Sequence, residues 1–243
     1  MTGAAGGLGA PVAQLLREAG AHVTGIDRAE CPACDASVLT DLSDDAALAS
    51  LSGELAAHPP DVLVNIAGVM RFGLHEDQPI DALAMCYRVN LLVPAVLARA
   101  VAGPMRERGS GQIVNVGSVL GAIPYPWFAA YSSSKAGLAA LSQALRRELA
   151  GSGVFVTHIN PRAAKTPFNS AQVNRFLELT GMKADEPDWV AARIARAIVA
   201  RAGTHNIGAM ERIYAALNAI APRIIDSGLA GQVRKARAEF SQS

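Results

Sequence analysis

Cysteine is scarce: Cys31, Cys34 and Cys86 are the only three in 243 residues. Three thiols cannot build a disulfide framework, so a reducing compartment, the cytoplasm, is expected. Neither sign of charge dominates, with 22 basic and 21 acidic residues and a net charge of +1. A strong electrostatic footprint for nucleic acid is therefore excluded. No uninterrupted apolar run reaches the roughly 18 residues of a membrane span. Met1-Thr2-Gly3 carries no basic segment leading into an apolar core, and no signal peptide is expected. Lysine is also rare, four residues against 18 arginines, and with abundant alanine this points to a GC-rich bacterial genome. What remains is 51% hydrophobic, which rules out a disordered chain.

Apolar runs alternate with helical patterns over about two thirds of the chain. Strands are expected at 21–27, 61–66, 112–118 and 154–159. Helices are expected at 10–19, at 43–57 with Ser43 as N-cap, at 82–108 and at 129–151. Pro94 and Pro104 should bend or break the third helix. Such alternation specifies βαβ units, and hence a parallel sheet covered on both faces. The expected fold is α/β, a three-layer doubly wound parallel sheet forming one domain over 1–243. The start breaks the pattern. A glycine-rich turn should follow a strand, yet the turn begins at residue 2, so the first strand is missing. A GTG valine codon read as an initiator and written Met would place the true start upstream.

Thr2-Gly-Ala-Ala-Gly-Gly-Leu-Gly9 precedes a helix pattern and fits both Gly-x-x-x-Gly-x-Gly and Gly-x-x-Gly-x-x-Gly. Such a turn sets backbone N–H groups and a helix N-terminus against a phosphate; the plain alternative is a simple turn. Asp27 ends the next strand 18 residues past Gly9. A carboxylate there accepts bonds from the adenosine ribose and repels a 2′-phosphate, favouring NAD(H) over NADP(H). Arg28 pulls the other way, and Asp27 is equally suited to capping a turn. Tyr131 and Lys135, four apart, share one helix face. An ammonium beside a phenol, together with a positive nicotinamide ring, favours phenolate and opens proton exchange with an alcohol oxygen; by itself the pair reads as a surface pair. Ser118, 13 residues earlier at a strand end, can bond the same oxygen. Asn90 lies in a helix pattern, where its plain role is to bond backbone or water.

Taken in order, Thr2-Gly3…Gly7…Gly9, Asn65-Ile-Ala-Gly68, Asn90, Ser118, Tyr131-x-x-x-Lys135 and Asn160-Pro161…Thr166 resemble the short-chain dehydrogenase/reductase family. The resemblance implies a Rossmann sheet binding NAD(H) or NADP(H). It makes Tyr131 the acid/base, with Lys135 lowering its pKa and holding the ribose. Ser118 would orient the substrate oxygen and Asn90 would place a water in the proton relay. The dinucleotide would contact Gly3, Gly7, Leu8, Gly9, Asp27, Arg28, Asp41, Leu42, Asn65, Ala67, Gly68, Tyr131, Lys135, Pro161 and Thr166. A homodimer or homotetramer is implied, paired through helices 82–108 and 129–151.

Departures accompany the match. The usual Asn-Asn-Ala-Gly is Asn65-Ile-Ala-Gly68, and the usual Pro-Gly is Pro161-Arg162, which alters the loop over the nicotinamide or sets a cation at the substrate mouth. The common C-terminal strand and Asp-Gly-Gly segment are replaced by a helical tail, about 209–243. That tail is expected to pack on the core, with a cover over the substrate site, a dimer contact and a membrane-surface contact as alternatives. Pro124–Phe128 and a substrate loop at about 162–186 suggest an apolar or aromatic-walled pocket, or plain core. Cys31-Pro-Ala-Cys34 has redox or zinc spacing but no second ligand pair, so no metal is expected. Ser132-x-x-Lys135 imitates a serine-hydrolase nucleophile motif without its partners. The expected activity is NAD(P)-dependent hydride transfer between nicotinamide and the carbonyl or secondary alcohol of a small, apolar substrate. The alternatives are a dinucleotide-binding protein with lost or altered catalysis, and an epimerase or dehydratase of the same superfamily.

Overall fold

Val62–Asn65, Gly111–Val116 and Val154–Asn160 are short runs of Val, Ile and Leu that need cover on both faces. In the computed structural model, which describes residues 1–240, they are strands β3, β4 and β5 of a parallel sheet, with β6 (Thr204–Asn206) beyond β5. On the other side β1 (Thr24–Asp27) pairs with β2 (Ala36–Leu39). Successive side chains on a strand point to opposite faces, so Leu63 and Val64, or Ile113 and Val114, serve different layers. Helices α1 (Gly9–Glu18) and α8 (Pro187–Val199) bring Val12, Ile194 and Ile198 onto Val64, Val114 and Ile159. From the opposite side α2 (Asp45–Ala57) and α4 (Val93–Arg108) set Leu48, Leu51, Leu97, Val101 and Met105 against Leu63, Ile113 and Val156. Burying each such side chain is worth about 1.5–3 kcal/mol. The expected three-layer doubly wound architecture is the one found.

Met1 and Thr2 occupy the central position of the sheet, where the first strand was expected. Thr2 bridges Ile26 on one side and Asn65 on the other, filling the carboxyl end of the slot between β1 and β3. Thr2 N donates to Val64 O at 2.9 Å, Gly3 N to Ile26 O at 2.9 Å, and the Met1 ammonium to Thr24 O at 2.7 Å. Burial of that ammonium pushes its pKa down to about 6. The glycine-rich turn therefore leaves the sheet from its central position.

Several boundaries differ from expectation. The N-cap of α2 is Asp44, whose carboxylate accepts from Ala47 N at 2.8 Å, whereas Ser43 bonds Asp41. The expected helix at 82–108 begins with α3 (Ile80–Tyr87) and widens into a π turn at Arg88–Leu92 just before Pro94, which has no N–H to offer the Asn90 carbonyl. Pro104 does not break α4. By length and composition Ile80–Arg108 would suffice to cross a bilayer. Leu97, Val101 and Met105 are nevertheless fully buried against the sheet, as in a core helix. Strand β2 was not foreseen, because it is a short, mostly exposed edge strand of mixed polarity, and the C-terminal strand expected to be absent is present as β6, three polar residues paired with β5. Of the stripes assigned to subunit pairing, Ala98, Leu138 and Leu149 are spent on the chain's own core.

After β4 come α5 (Val119–Ala122) and α6 (Ala129–Glu148), and after β5 comes α7 (Ala171–Thr180). The tail forms α9 (Ala209–Ile220) and α10 (Pro222–Phe240); residues 241–243 lie outside the described residues. Phe240 of α10 joins Phe72, Trp127 and Phe176 in an aromatic cluster. Trp127 is held there at φ 67°, a backbone region that bulky residues rarely enter.

Two glycines separate backbone cost from steric cost. Gly151 and Gly153 both have φ +79°, but a Cβ on Gly151 meets open space while one on Gly153 would stand 2.0 Å from Gly109 O. Gly151→Ala should cost about 1–2 kcal/mol. Gly153→Ala should cost clearly more in urea unfolding; equal midpoints would contradict the close approach.

Candidate active site

The free ends of a doubly wound sheet lie at the carboxyl edge of its strands, where the order of connection reverses. A cleft of about 690 Å³ opens there, running from the glycine-rich turn, past Asp27 and Asp41, to Ser118 and Tyr131. The turn has the shape a dinucleotide needs. A Cβ on Gly3 (φ +65°) would stand 2.6 Å from Ala67 Cα, one on Gly7 2.7 Å from Thr166 Cβ, and one on Gly9 2.0 Å from Gly3 O. Only glycine fits this cradle, and the N-terminus of α1 opens from it. Asp27 accepts from Ala5 N at 3.0 Å and from Arg28 N at 2.7 Å. It therefore ties the turn to β1 while still lining the cleft. Asp41 accepts from both Ser43 N and Ser43 Oγ, which lowers its pKa. Arg28, Leu42, Ala67, Gly68, Pro161 and Thr166 line the same cleft, and Thr2 Oγ1 accepts from Ala67 N at 3.3 Å. Asn65 stands back from it, donating to Asn115 Oδ1 at 2.9 Å across the sheet.

At the far end Ser118, Tyr131 and Lys135 converge. Ser118 ends the β4 segment and caps α5, its Oγ accepting from Leu120 N at 3.1 Å. Tyr131 is buried in the first turn of α6, and burial raises its phenol to about 12 although a Ser118 hydrogen bond pulls the other way. Desolvation is the largest effect on this phenol. Burial likewise lowers Lys135 to about 8; its Nζ donates to Val116 O at 2.9 Å, 6.0 Å from the Tyr131 ring centre. Asn90, fully buried in the π turn, exchanges two bonds with the Val69 backbone, both 2.9 Å, and donates to Ser134 Oγ at 3.0 Å. Its amide hydrogens are thus committed to holding the loop after Gly68.

Sequence reasoning missed what lies beneath Ser118. Asn160 Oδ1 accepts from Ser118 N at 3.1 Å and meets His158 Nε2 at 2.9 Å, while Asn160 Nδ2 donates to Asn206 at 2.8 Å. Because Asn160 Oδ1 is an acceptor, Nε2 carries the proton and Nδ1 faces Ser142 Oγ at 3.1 Å. The ring fits only because position 117 is glycine, where a Cβ would lie 2.6 Å from His158 Nε2. A buried histidine in a strand reads as core from sequence, and nothing local announces its partners.

Arg162 leaves no cation at the mouth. It pairs with Asp185 at 3.1 Å and Glu211 at 3.0 Å, joining the neck of the substrate loop to α9, and its φ is not positive. Of the aromatic wall, Phe128 and Phe168 line the cleft, as do Leu177 and Met182, whereas Trp127 and Phe176 belong to the core. The tail packs over the substrate loop, with Tyr125 Oη donating to Gln232 at 2.8 Å and Arg175 pairing with Glu239 at 3.0 Å. Cys31 and Cys34 lie side by side next to the glycine-rich turn, where Cys31 Sγ donates to Ala4 O at 3.1 Å; burial pushes Cys34 up to about 12, so it is a poor thiolate.

Burial holds His158 at about 4, against 6.5 for a free imidazole. Between these values the unfolded chain binds a proton that the folded chain does not, so stability falls as pH drops from 6.5 towards 4. The loss amounts to at most about 3 kcal/mol, at 1.36 kcal/mol per pKa unit. Urea unfolding across this window should show His158→Ala less pH-dependent than the parent; parallel curves would refute the assignment.

The short chain dehydrogenase family model matches residues 1–175. A short chain dehydrogenase of Pseudocercospora fijiensis is 34% identical over 183 residues, 68% of this chain; the chain spans 59% of that relative's length. The cis-4-hydroxycyclohexanecarboxylate dehydrogenase of Sinomonas cyclohexanicum is 34% identical over 208 residues, 79% of each chain. The crystal structure of a short-chain dehydrogenase from Streptomyces avermitilis matches with a TM-score of 0.78 at 27% identity over 96% of both chains. With the family model covering the glycine cradle, Ser118, Tyr131, Lys135 and most of the parallel sheet, the chain belongs to the short chain dehydrogenase family.

Proposed function

We propose that the chain is an NAD(P)-dependent oxidoreductase acting on the carbonyl or secondary alcohol of a small substrate with a largely apolar body. The observation that carries the reading is one continuous cleft with the glycine cradle at one end and Ser118, Tyr131 and Lys135 at the other. The dinucleotide, when bound, supplies the hydride donor or acceptor. The turn at Gly3, Gly7, Leu8 and Gly9 would hold its pyrophosphate, Asp27 the adenosine ribose, and Asp41 and Leu42 the adenine. Asn65, Ala67, Gly68, Pro161 and Thr166 would frame the rest. Tyr131, protonated at neutral pH, can give its proton to a carbonyl oxygen that Ser118 orients. Lys135 would hold the ribose and stabilise the phenolate left behind. A Cβ on Gly68 would lie 3.2 Å from Asn90 Oδ1 and 3.6 Å from Lys135 Nζ. Its absence leaves room for a water linking Asn90 to the relay.

Similar solved structures hold either dinucleotide, NADP in a protein of Beutenbergia cavernae and NADH in a 4-hydroxyisoleucine dehydrogenase. Asp27 supports NAD(H) here. Its two oxygens have lone pairs left for ribose hydroxyls, and its charge opposes a 2′-phosphate. A cytoplasmic homodimer or homotetramer, paired through the half-buried residues of α4 and α6, belongs to the same reading.

Tyr131→Phe keeps the ring and removes the proton. Turnover on a ketone panel should fall by at least about a hundredfold, with NADH affinity, read by fluorescence, nearly unchanged; near-normal turnover would end this mechanism. In direct titration NADH should bind about tenfold tighter than NADPH, about 1.4 kcal/mol. Asp27→Ser should narrow that gap, and equal or tighter NADPH binding by the parent would shift the assignment to Arg28.

A further inference from the structure

We propose that the substrate bears an anionic group, a carboxylate or sulfonate, and that Arg71 holds it; the inference rests on the oxidoreductase reading above. The charges along the cleft divide unevenly. Its only lining acids, among the described residues, are Asp27 and Asp41, both at the adenosine end, where Arg28 also lies. Three cations remain towards the substrate end. Lys135 is buried beside Tyr131 and donates to Val116 O. Arg162 is chelated by Asp185 and Glu211. Arg71 has neither an ion pair nor a hydrogen bond among the described residues.

The mount of Arg71 is rigid, although its side chain is exposed. Two positions before it, Val69 is locked by two 2.9 Å bonds to Asn90. One position after it, the Phe72 ring packs edge-on against Phe128, Phe176 and Phe240 at 5.1–5.5 Å. The backbone of Arg71 is thus held at a fixed place on the rim, three residues beyond Gly68, and its exposed side chain reaches over the cleft from there. Arg71 is also near enough to Cys86, which touches Asn90 and Ser134, for its charge to act on that thiol. The remaining walls at this end, Met70, Met85, Phe168, Leu177 and Met182, are apolar.

A wholly apolar substrate would fill these walls and leave the guanidinium at the rim without a partner. A molecule with an apolar middle, a carbonyl at one end and an anion at the other satisfies the whole surface. Its carbonyl meets Ser118 and Tyr131 while its anion meets the planar fork of Arg71, which suits two parallel hydrogen bonds.

The test compares 4-oxocyclohexanecarboxylate with cyclohexanone as substrates of the purified protein with its preferred reduced dinucleotide. The expected result is a kcat/KM at least about tenfold higher for the carboxylate. Arg71→Ala should cut that preference by about 10- to 100-fold, mainly through KM, as loss of a charge-assisted bond does. Arg71→Lys should restore part of it. Calorimetric binding of cyclohexanecarboxylate to the dinucleotide-loaded protein should weaken in step. A preference for cyclohexanone, or a carboxylate preference and affinity that survive Arg71→Ala, overturns the proposal. If neither ketone turns over, the oxidoreductase reading fails, while the calorimetric comparison still decides the anion site.

Discussion

Asn65 donates to Asn115, Asn115 to Ser142, Ser142 faces His158, and His158 and Ser118 share the oxygen of Asn160, which donates onward to Asn206. This row of buried polar groups runs beneath the Ser118–Tyr131–Lys135 end of the cleft, from β3 to β6. Each member would cost about 1–3 kcal/mol if left unsatisfied in the interior. The row therefore has few alternative arrangements, and it holds the backbone of Ser118 from below. Above it, Asn90 and Lys135 attach to the backbones of Val69 and Val116. Ser118, Lys135 and the loop after Gly68 are fixed by polar side chains inside the core, not by the loops around the mouth.

How much of this could be read from sequence depended on how local each signal was. Tyr131 and Lys135 lie one helical turn apart, and Ser118 ends an apolar run, so residue type and spacing sufficed. The glycine turn was equally legible, because the positive φ of Gly3 and the close approaches at Gly3, Gly7 and Gly9 leave room for glycine alone. Arg162 misled for the opposite reason. A lone arginine after Pro161 looks like a free cation until Asp185 and Glu211, 23 and 49 residues away, are folded onto it. His158 and Arg71 were silent for the same reason, since their meaning lies in neighbours distant along the chain. Strand β2 was invisible because an exposed edge strand has no apolar face to reveal it.

The tail shows how packing can decide a question that composition leaves open. Its amphipathic pattern suited a membrane surface, a partner or the chain's own core. Phe240 and Gln232 settle α10 against the aromatic cluster and Tyr125, while Asn218 of α9 donates to Ala122 O at 3.0 Å. The substrate loop is thereby roofed by an element the family model does not reach, since the match ends at residue 175.

The chain has two tryptophans in very different surroundings. Trp189 lies half-exposed at the surface under the guanidinium of Arg193, 3.2 Å from its ring centre. Trp127 is buried among Phe176 of the substrate loop and Phe240 of the tail, with an indole N–H that finds no partner among the described residues. Replacing Trp189 would leave a single tryptophan, at the junction of loop and tail. Its emission would then shift to the red whenever that junction admits water, giving an optical record of whether loop and tail stay packed over the cleft.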